Sequence, residues 1–455
     1  MGDAPAPLGY HAAVVAHLRG GEPAAWSAVA AAASPDTAAV HADLTRNAYR
    51  LDPEGHPRVR DAAGRAAKAL GVERPVTAFQ LEGGGPANAA LVTLPSAVTV
   101  VFGGPLLDLV DDDELAAVFG HELAHHVLWS LAGAQYLVAD RLLDTLAADA
   151  SSPPAYAETA RRYALATELY ADRGALIACG DLHTAVSALV KVATGLREVD
   201  AAAYLRQAEG ADPASGSRGT GHPETVLRAW ALARWQQSAA AGDLAASTLL
   251  SPSLDLDSLD LLDRAALAGV TRALLEDVLA DSWWRTEAVV AQARQYFPEL
   301  DPFPAGSGGG APPAWGTPGP GSARVVPAAA TANTRRYLGY VLLDLVAADP
   351  DLDDEEAVRR ALTFAHRVGL GAELDAVARA ELSLSPAAWR RVGAGVVTPS
   401  AEPPVVEPPE PPVAPPADPA VAPSGDPARA PSADPAQLPL ELPAEPRIES
   451  PGGAP

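Results

Sequence analysis

Phe119-Gly120-His121-Glu122-Leu123-Ala124-His125-His126 carries the pattern His-Glu-x-x-His. On a helix, positions four apart differ by about 40° in direction, so His121 and His125 project from one face and can hold one zinc ion together. Glu122 sits about 100° round, placed to reach a metal-bound water without being a ligand. His126 points about 100° away from His125 and reads as a structural or surface histidine.

That reading requires a helix, and the residues just before the motif specify one. Asp111-Asp112-Asp113-Glu114 opens the segment, and Asp111 with Glu114 has the capping-box spacing of a helix start. The acidic first turn complements the helix dipole. No proline follows until Pro153, so the motif lies about two turns inside an uninterrupted helix.

Working outward toward the N-terminus, Val76 to Leu81, Ala89 to Leu94 and Val98 to Phe102 read as strands, with Gly83-Gly84-Gly85-Pro86 as a turn. They predict a small sheet of about three strands, whose edge could take an extended peptide by strand addition. The glycine run lacks the Gly-Lys-Ser/Thr of a phosphate loop. Residues 8 to 70 are Ala-rich with helical spacing and breaks at Ser34-Pro35-Asp36 and Asp52-Pro53, which predicts two to four helices.

Downstream, Tyr156 to Ala178 is helical again and holds Glu168 and Asp172 one turn apart on a shared face. A zinc hydrolase needs three protein ligands and an open position for water. Glu168 is the best candidate for the third, ahead of Glu158 and His183, which have no second acidic group one turn away. Thr220-Gly221-His222-Pro223 reads as a loop leading into a helix, from which His222 could bind an oxyanion if the loop folds over the metal. Cys179, the one cysteine, excludes an internal disulfide, fits a reducing compartment and is expected to pack in the core.

The length of 455 residues allows two or three domains, and the net charge of −24 argues against nucleic acid and against an anionic membrane surface. The N-terminal residues lack the basic region and apolar core of a signal peptide, and no apolar run is long enough for a membrane span. A cytoplasmic location is the expectation.

Beyond about residue 240 the character changes. Leu256 to Phe297 reads as two amphipathic helices, with Trp283 and Trp284 as core or interface aromatics. Residues 301 to 334, rich in Pro, Gly and Ala, read as a linker. Helical pattern resumes at Arg336, passes through the acidic turn Asp349-Pro350-Asp351-Leu352-Asp353-Asp354 and continues through two more helices. Capping of the next helix by Asp353 or Asp354 accounts for that turn, whose spacing fails the calcium-loop pattern. From about Thr398 the chain is Pro, Ala, Asp and Glu, and is expected to be disordered.

The ordered set Asn88-Ala89, Glu114-Leu115, His121-Glu122-x-x-His125, Glu168-x-x-x-Asp172 and His222-Pro223 with Arg228 resembles the M48 family of zinc peptidases, over roughly residues 55 to 235. The resemblance implies one zinc ion on His121, His125 and Glu168, with Glu122 as general base. It further implies Asp172 as the carboxylate orienting a ligand histidine and His222 as a transition-state stabiliser. Asn88 and Arg228 would be supporting residues. Membrane-bound members have spanning helices that this chain lacks, so a soluble protein or peptide is the expected substrate. The helix, acidic turn and helix near residue 350 resembles the TerB-like tellurite-resistance domain.

The fold class expected is α+β, mostly α. Residues 1–54 form an N-terminal helical region, 55–240 a zincin-like metallopeptidase core with a small β-sheet, and 241–300 a helical extension. Residues 301–334 form a linker, 335–395 a helical TerB-like all-α accessory domain and 396–455 a disordered tail. A competing expectation is a catalytically silent interaction or scaffolding protein, binding a protein partner through the C-terminal helical domain or tail. Retention of Glu122, which such a protein would not need, speaks for the endopeptidase.

Overall fold

The Ala-rich start of the chain folds into α1 (Gly9–Gly21), α2 (Pro23–Ala31), α3 (Thr37–Asn47) and, beyond the short strand β1 (Ala48–Arg50), α4 (Pro57–Leu70). These are four helices, within the expected number. The structure, a computed structural model, describes residues 4–32, 37–83, 85–93, 97–219, 222–250, 253–300, 327 and 330–397. The expected disordered tail and nearly all of the expected linker lie outside the described residues.

Val76–Leu81 is β2, Asn88–Thr93 is β3 and Val98–Gly103 is β4, each within a residue of its expected bounds. The sheet order is β1-β2-β4-β3, with β2 and β4 parallel and both outer pairs antiparallel. The fourth strand, β1, is an addition to the three expected, and β3 is an edge. Strand alternation divides the sheet's two faces. Val98, Val100 and Phe102 point into the main core, where the Phe102 ring meets Phe119 edge-on at 5.3 Å. Phe79, Val92 and Val101 point the other way and pack on Leu44 of α3.

A short helix α5 (Leu106–Leu109) leads into α6 (Asp112–Ser130), and α7 (Gln135–Ala148) and α8 (Pro154–Cys179) follow. The capping box forms as the sequence predicts: Asp111 Oδ1 accepts from the Glu114 amide at 2.9 Å, and Glu114 Oε2 accepts from the Asp111 amide at 2.8 Å. Glu114 is also buried against α9 (Leu182–Thr194), accepting from Ser187 Oγ at 2.6 Å and Lys191 Nζ at 2.7 Å. One residue therefore starts α6 and fastens it to a second helix.

Then come α10 (Ala201–Glu209), α11 (Thr225–Gln237), α12 (Ala239–Leu250), α13 (Leu261–Leu279) and α14 (Glu287–Tyr296). Four more helices complete the described chain: α15 (Ala332–Val346), α16 (Asp354–Val368), α17 (Gly371–Glu381) and α18 (Pro386–Gly395). Asp353 caps α16 by accepting from the Glu356 amide at 2.9 Å, the role expected of the acidic turn.

Two large apolar cores organise these elements. The first runs from Leu8 to Leu261 and includes Tyr10, Val14, Val15 and Leu18 of α1 alongside the sheet, α6 and α8. The second joins Leu267 to Leu279 of α13 and Trp284 to α15, α16, α17 and Val392 of α18. The stretches on either side of the expected linker thus share one core, with Trp284 buried in it, and α13 spans both cores. Among the described residues no helix is long and apolar enough to cross a membrane.

Candidate metal centre

Two glycines bring the site's helices together. A Cβ on Gly120 of α6 would fall 2.6 Å from the Gly174 carbonyl oxygen and collide with the Ala178 methyl. A Cβ on Gly174 of α8 would fall 2.7 Å from the Gly120 oxygen and collide with the Ala124 methyl. Small residues four apart on both helices therefore allow near backbone contact at the residue preceding His121. That crossing sets Glu168 opposite the histidine pair.

His121 Nε2 and His125 Nε2 lie 3.3 Å apart, and the Glu168 carboxylate straddles them, Oε2 at 3.5 Å from His121 and Oε1 at 3.6 Å from His125. Donors about 2.0–2.2 Å from one tetrahedral ion stand roughly 3.3–3.6 Å from each other. Each separation fits that figure, the two histidines facing different oxygens of the one carboxylate, and these side chains form the one group of metal-ligand type found among the described residues. Glu168 Oε2 is buried without a partner in hydrogen-bonding geometry, although His222 Nδ1 approaches it to 2.9 Å and Arg228 Nη2 to 3.3 Å. A buried carboxylate oxygen left so has lone pairs to give to a cation.

Behind this cluster lies a second set of contacts. Asp172 Oδ1 is 3.2 Å from His121 Nδ1, the ring nitrogen facing away from the cluster. A proton held there leaves Nε2 with its lone pair toward the metal position. Arg228 of α11 donates to Asp172 through Nε at 2.8 Å and Nη2 at 2.6 Å. His125 has no such carboxylate: its Nδ1 is buried without a partner and its ring lies against Trp129 at 5.4 Å. One ligand candidate is fixed by charge, the other by packing.

The electrostatics follow from burial and these pairs. Burial lowers the His125 imidazole to about 4, and it would lower His121 as well, but the Asp172 and Glu168 carboxylates raise that ring above its ordinary value. Burial would raise Glu168 and Asp172. For Glu168, His222 and Arg228 outweigh it, and for Asp172, Arg228 and His121 do, so both carboxyls sit below the usual carboxylate range. Glu122, buried and without such a partner, is pushed up to about 7 by desolvation, with His121 pulling against it.

The other candidates fall elsewhere. Glu158 is held by Arg161 and Arg162, and His183 is exposed on α9. Asn88 is exposed at the start of β3 opposite Gly103 and has no hydrogen bond to the cluster. Half-buried His126 is lowered to about 4, first by burial and then by Arg74. Cys179, expected in the core, is instead half-buried at the end of α8, its thiol 3.3 Å from the Asp181 carbonyl oxygen. The thiol ends where the helix stops at Gly180, so only one side of it can pack.

A His-Glu-x-x-His helix, a glutamate converging from a second helix and a small mixed sheet alongside define the metallopeptidase class. Residues 53–236 match the family described as Peptidase family M48. That match spans less than half of the chain. No curated protein and no solved structure matches the chain.

Proposed function

We propose that the chain is a zinc-dependent endopeptidase acting on soluble proteins or peptides, with His121, His125 and Glu168 holding one zinc ion. The observation that carries this reading is the convergence of three side chains, with the two imidazole nitrogens 3.3 Å apart and each within 3.5 or 3.6 Å of one oxygen of the Glu168 carboxylate, distances that suit a shared ion. When bound, zinc supplies Lewis acidity, making a water easier to deprotonate and a scissile carbonyl more electrophilic.

The chain's own residues do the rest. Glu122, held near neutrality by its burial, takes the proton of the attacking water and passes it to the leaving amine. His222, its Nδ1 2.9 Å from Glu168, stands on the open side of the cluster, where it can donate to the developing oxyanion. Asp172, clamped by Arg228, keeps His121 in the tautomer that a metal requires. Edge strand β3 offers unpaired backbone groups to an extended substrate. A cytoplasmic location and partner binding by the C-terminal helices belong to the same proposal.

The test is elemental analysis of the purified chain, followed by cleavage of an unfolded protein with and without chelator. One zinc per chain and chelator-sensitive cleavage support the reading. A zinc-loaded chain that cleaves nothing favours the interaction protein instead.

A further inference from the structure

The His222 side chain is 70% exposed, so packing does not fix it near Glu168. Apart from its 2.9 Å contact with Glu168 itself, what holds it there must act through its loop. Ser217 and Gly219, a few residues before His222, direct their carbonyls at Arg161 of α8, whose Nη1 donates to them at 3.2 and 2.9 Å. Arg161 is in turn gripped bidentately by Glu158, with Nε to Oε2 at 2.8 Å and Nη2 to Oε1 at 2.7 Å. The loop has two other ties: Glu224 accepts from Ser217 Oγ at 2.7 Å and from the Arg218 amide at 2.9 Å, and the Ser217 amide donates to the Leu249 carbonyl of α12 at 3.2 Å.

Glu158 holds a second arginine. Its Oε1 accepts from Arg162 Nε at 2.7 Å, and Arg162, almost fully buried, reaches Asp263 of α13 at 2.6 Å and the Ser258 carbonyl at 2.6 Å. Asp260, the wholly buried cap of α13, lies 3.4 Å from the same guanidinium and accepts from Tyr10 of α1 at 2.6 Å. Unbroken polar contacts therefore run from α13, which enters the second core, to the loop that carries His222.

We propose that Arg161 is the positioning residue for His222, and that Glu158 and Arg162 anchor this clamp on Asp263 of α13. The C-terminal helical unit then sets the geometry of the active-site loop without touching substrate. The inference rests on the role given to His222 above. A bidentate guanidinium is suited to the task, because its fixed fork can grip a carboxylate on one edge and aim donors at two carbonyls from the other.

Two measurements on the full-length chain decide it. In steady-state hydrolysis, Arg161→Ala should lower kcat about tenfold with zinc content unchanged, the scale of a misplaced catalytic group. In a His222→Ala background it should cost nothing further, whereas additive losses would overturn the proposal. Independently of hydrolysis, exposed Arg218 is a trypsin site within the loop. Arg161→Ala and Asp263→Ala should each speed cleavage after Arg218 several-fold. An unchanged rate in Arg161→Ala would overturn the clamp, and in Asp263→Ala its anchor. Should the wild-type chain hydrolyse nothing, the endopeptidase reading falls while the trypsin measurement still decides the clamp.

Discussion

Gly120 and Gly174 face each other across the crossing of the two site-bearing helices, each lying where the other's carbonyl oxygen leaves no room for a side chain. Their closeness sets the distance between Glu168 and the histidine pair. Gly120→Ala should force the helices apart at a cost of about 1–3 kcal/mol, typical of overpacking. It should also weaken zinc binding, because Glu168 on α8 moves away from both histidines of α6. Zinc titration and urea unfolding of the variant check this, and unchanged zinc affinity would count against the crossing as the element that sets the site.

Glu122→Gln keeps the size and the helix but removes the base. The expected outcome is one zinc per chain with hydrolysis lost, by about two to four powers of ten for a general base. A variant with full activity would refute the role.

Asp172→Asn leaves Arg228 buried beside a neutral amide and loosens the hold on His121 Nδ1. Zinc affinity should fall roughly 10–100-fold, the usual effect of losing a carboxylate behind a ligand histidine. Stability should fall by about 3–5 kcal/mol, as for a buried ion pair deprived of one partner. Competition with a chromophoric chelator measures the first, and chemical denaturation the second.

His11 provides a pH dependence that is separate from the metal. It is wholly buried on α1 among Tyr136, Tyr163 and Tyr170, with Nε2 3.2 Å from Thr167 Oγ1 and Nδ1 unpartnered. Burial, helped by Arg173, lowers its imidazole to about 3. The unfolded chain takes up this proton near 6.5 and the folded chain does not. The stability involved is complete above 6.5 and is lost as pH falls toward 3, at about 1.4 kcal/mol per unit. Between pH 6.5 and 5, wild type should lose about 2 kcal/mol more than His11→Leu. Unfolding curves of both proteins in chelator test this, and parallel pH profiles would remove His11 from the account.

The sequence reveals those parts of the site that lie on single helices. His121, Glu122 and His125, the capping box at Asp111 and Glu114, and the pairing of Glu168 with Asp172 all follow from spacing along one element. What it hides is contact between elements. Gly120 and Gly174 read as helix-weakening residues until the crossing is seen, although the recurrence of small residues at Gly120, Ala124, Gly174 and Ala178 was a usable signal. Glu158 looks like a rival ligand by type, and only its contacts with Arg161 and Arg162 reassign it. Three-residue β1 is too short to display an alternation, and it exists because β2 pairs with it. The union of residues 254–300 with 338–392 in one core could not be read across a proline- and glycine-rich interval that resembles a boundary.

The placement of α1 inside the first core bears on how the protein can be handled. Tyr10, His11, Val14, Val15 and Leu18 fill space against α7, α8 and the start of α13, so residues 53–236 do not enclose their own interior. Trimming the gene to those limits would strip the underside of the Glu168 helix and yield an insoluble fragment, and expression plasmids should begin ahead of Leu8.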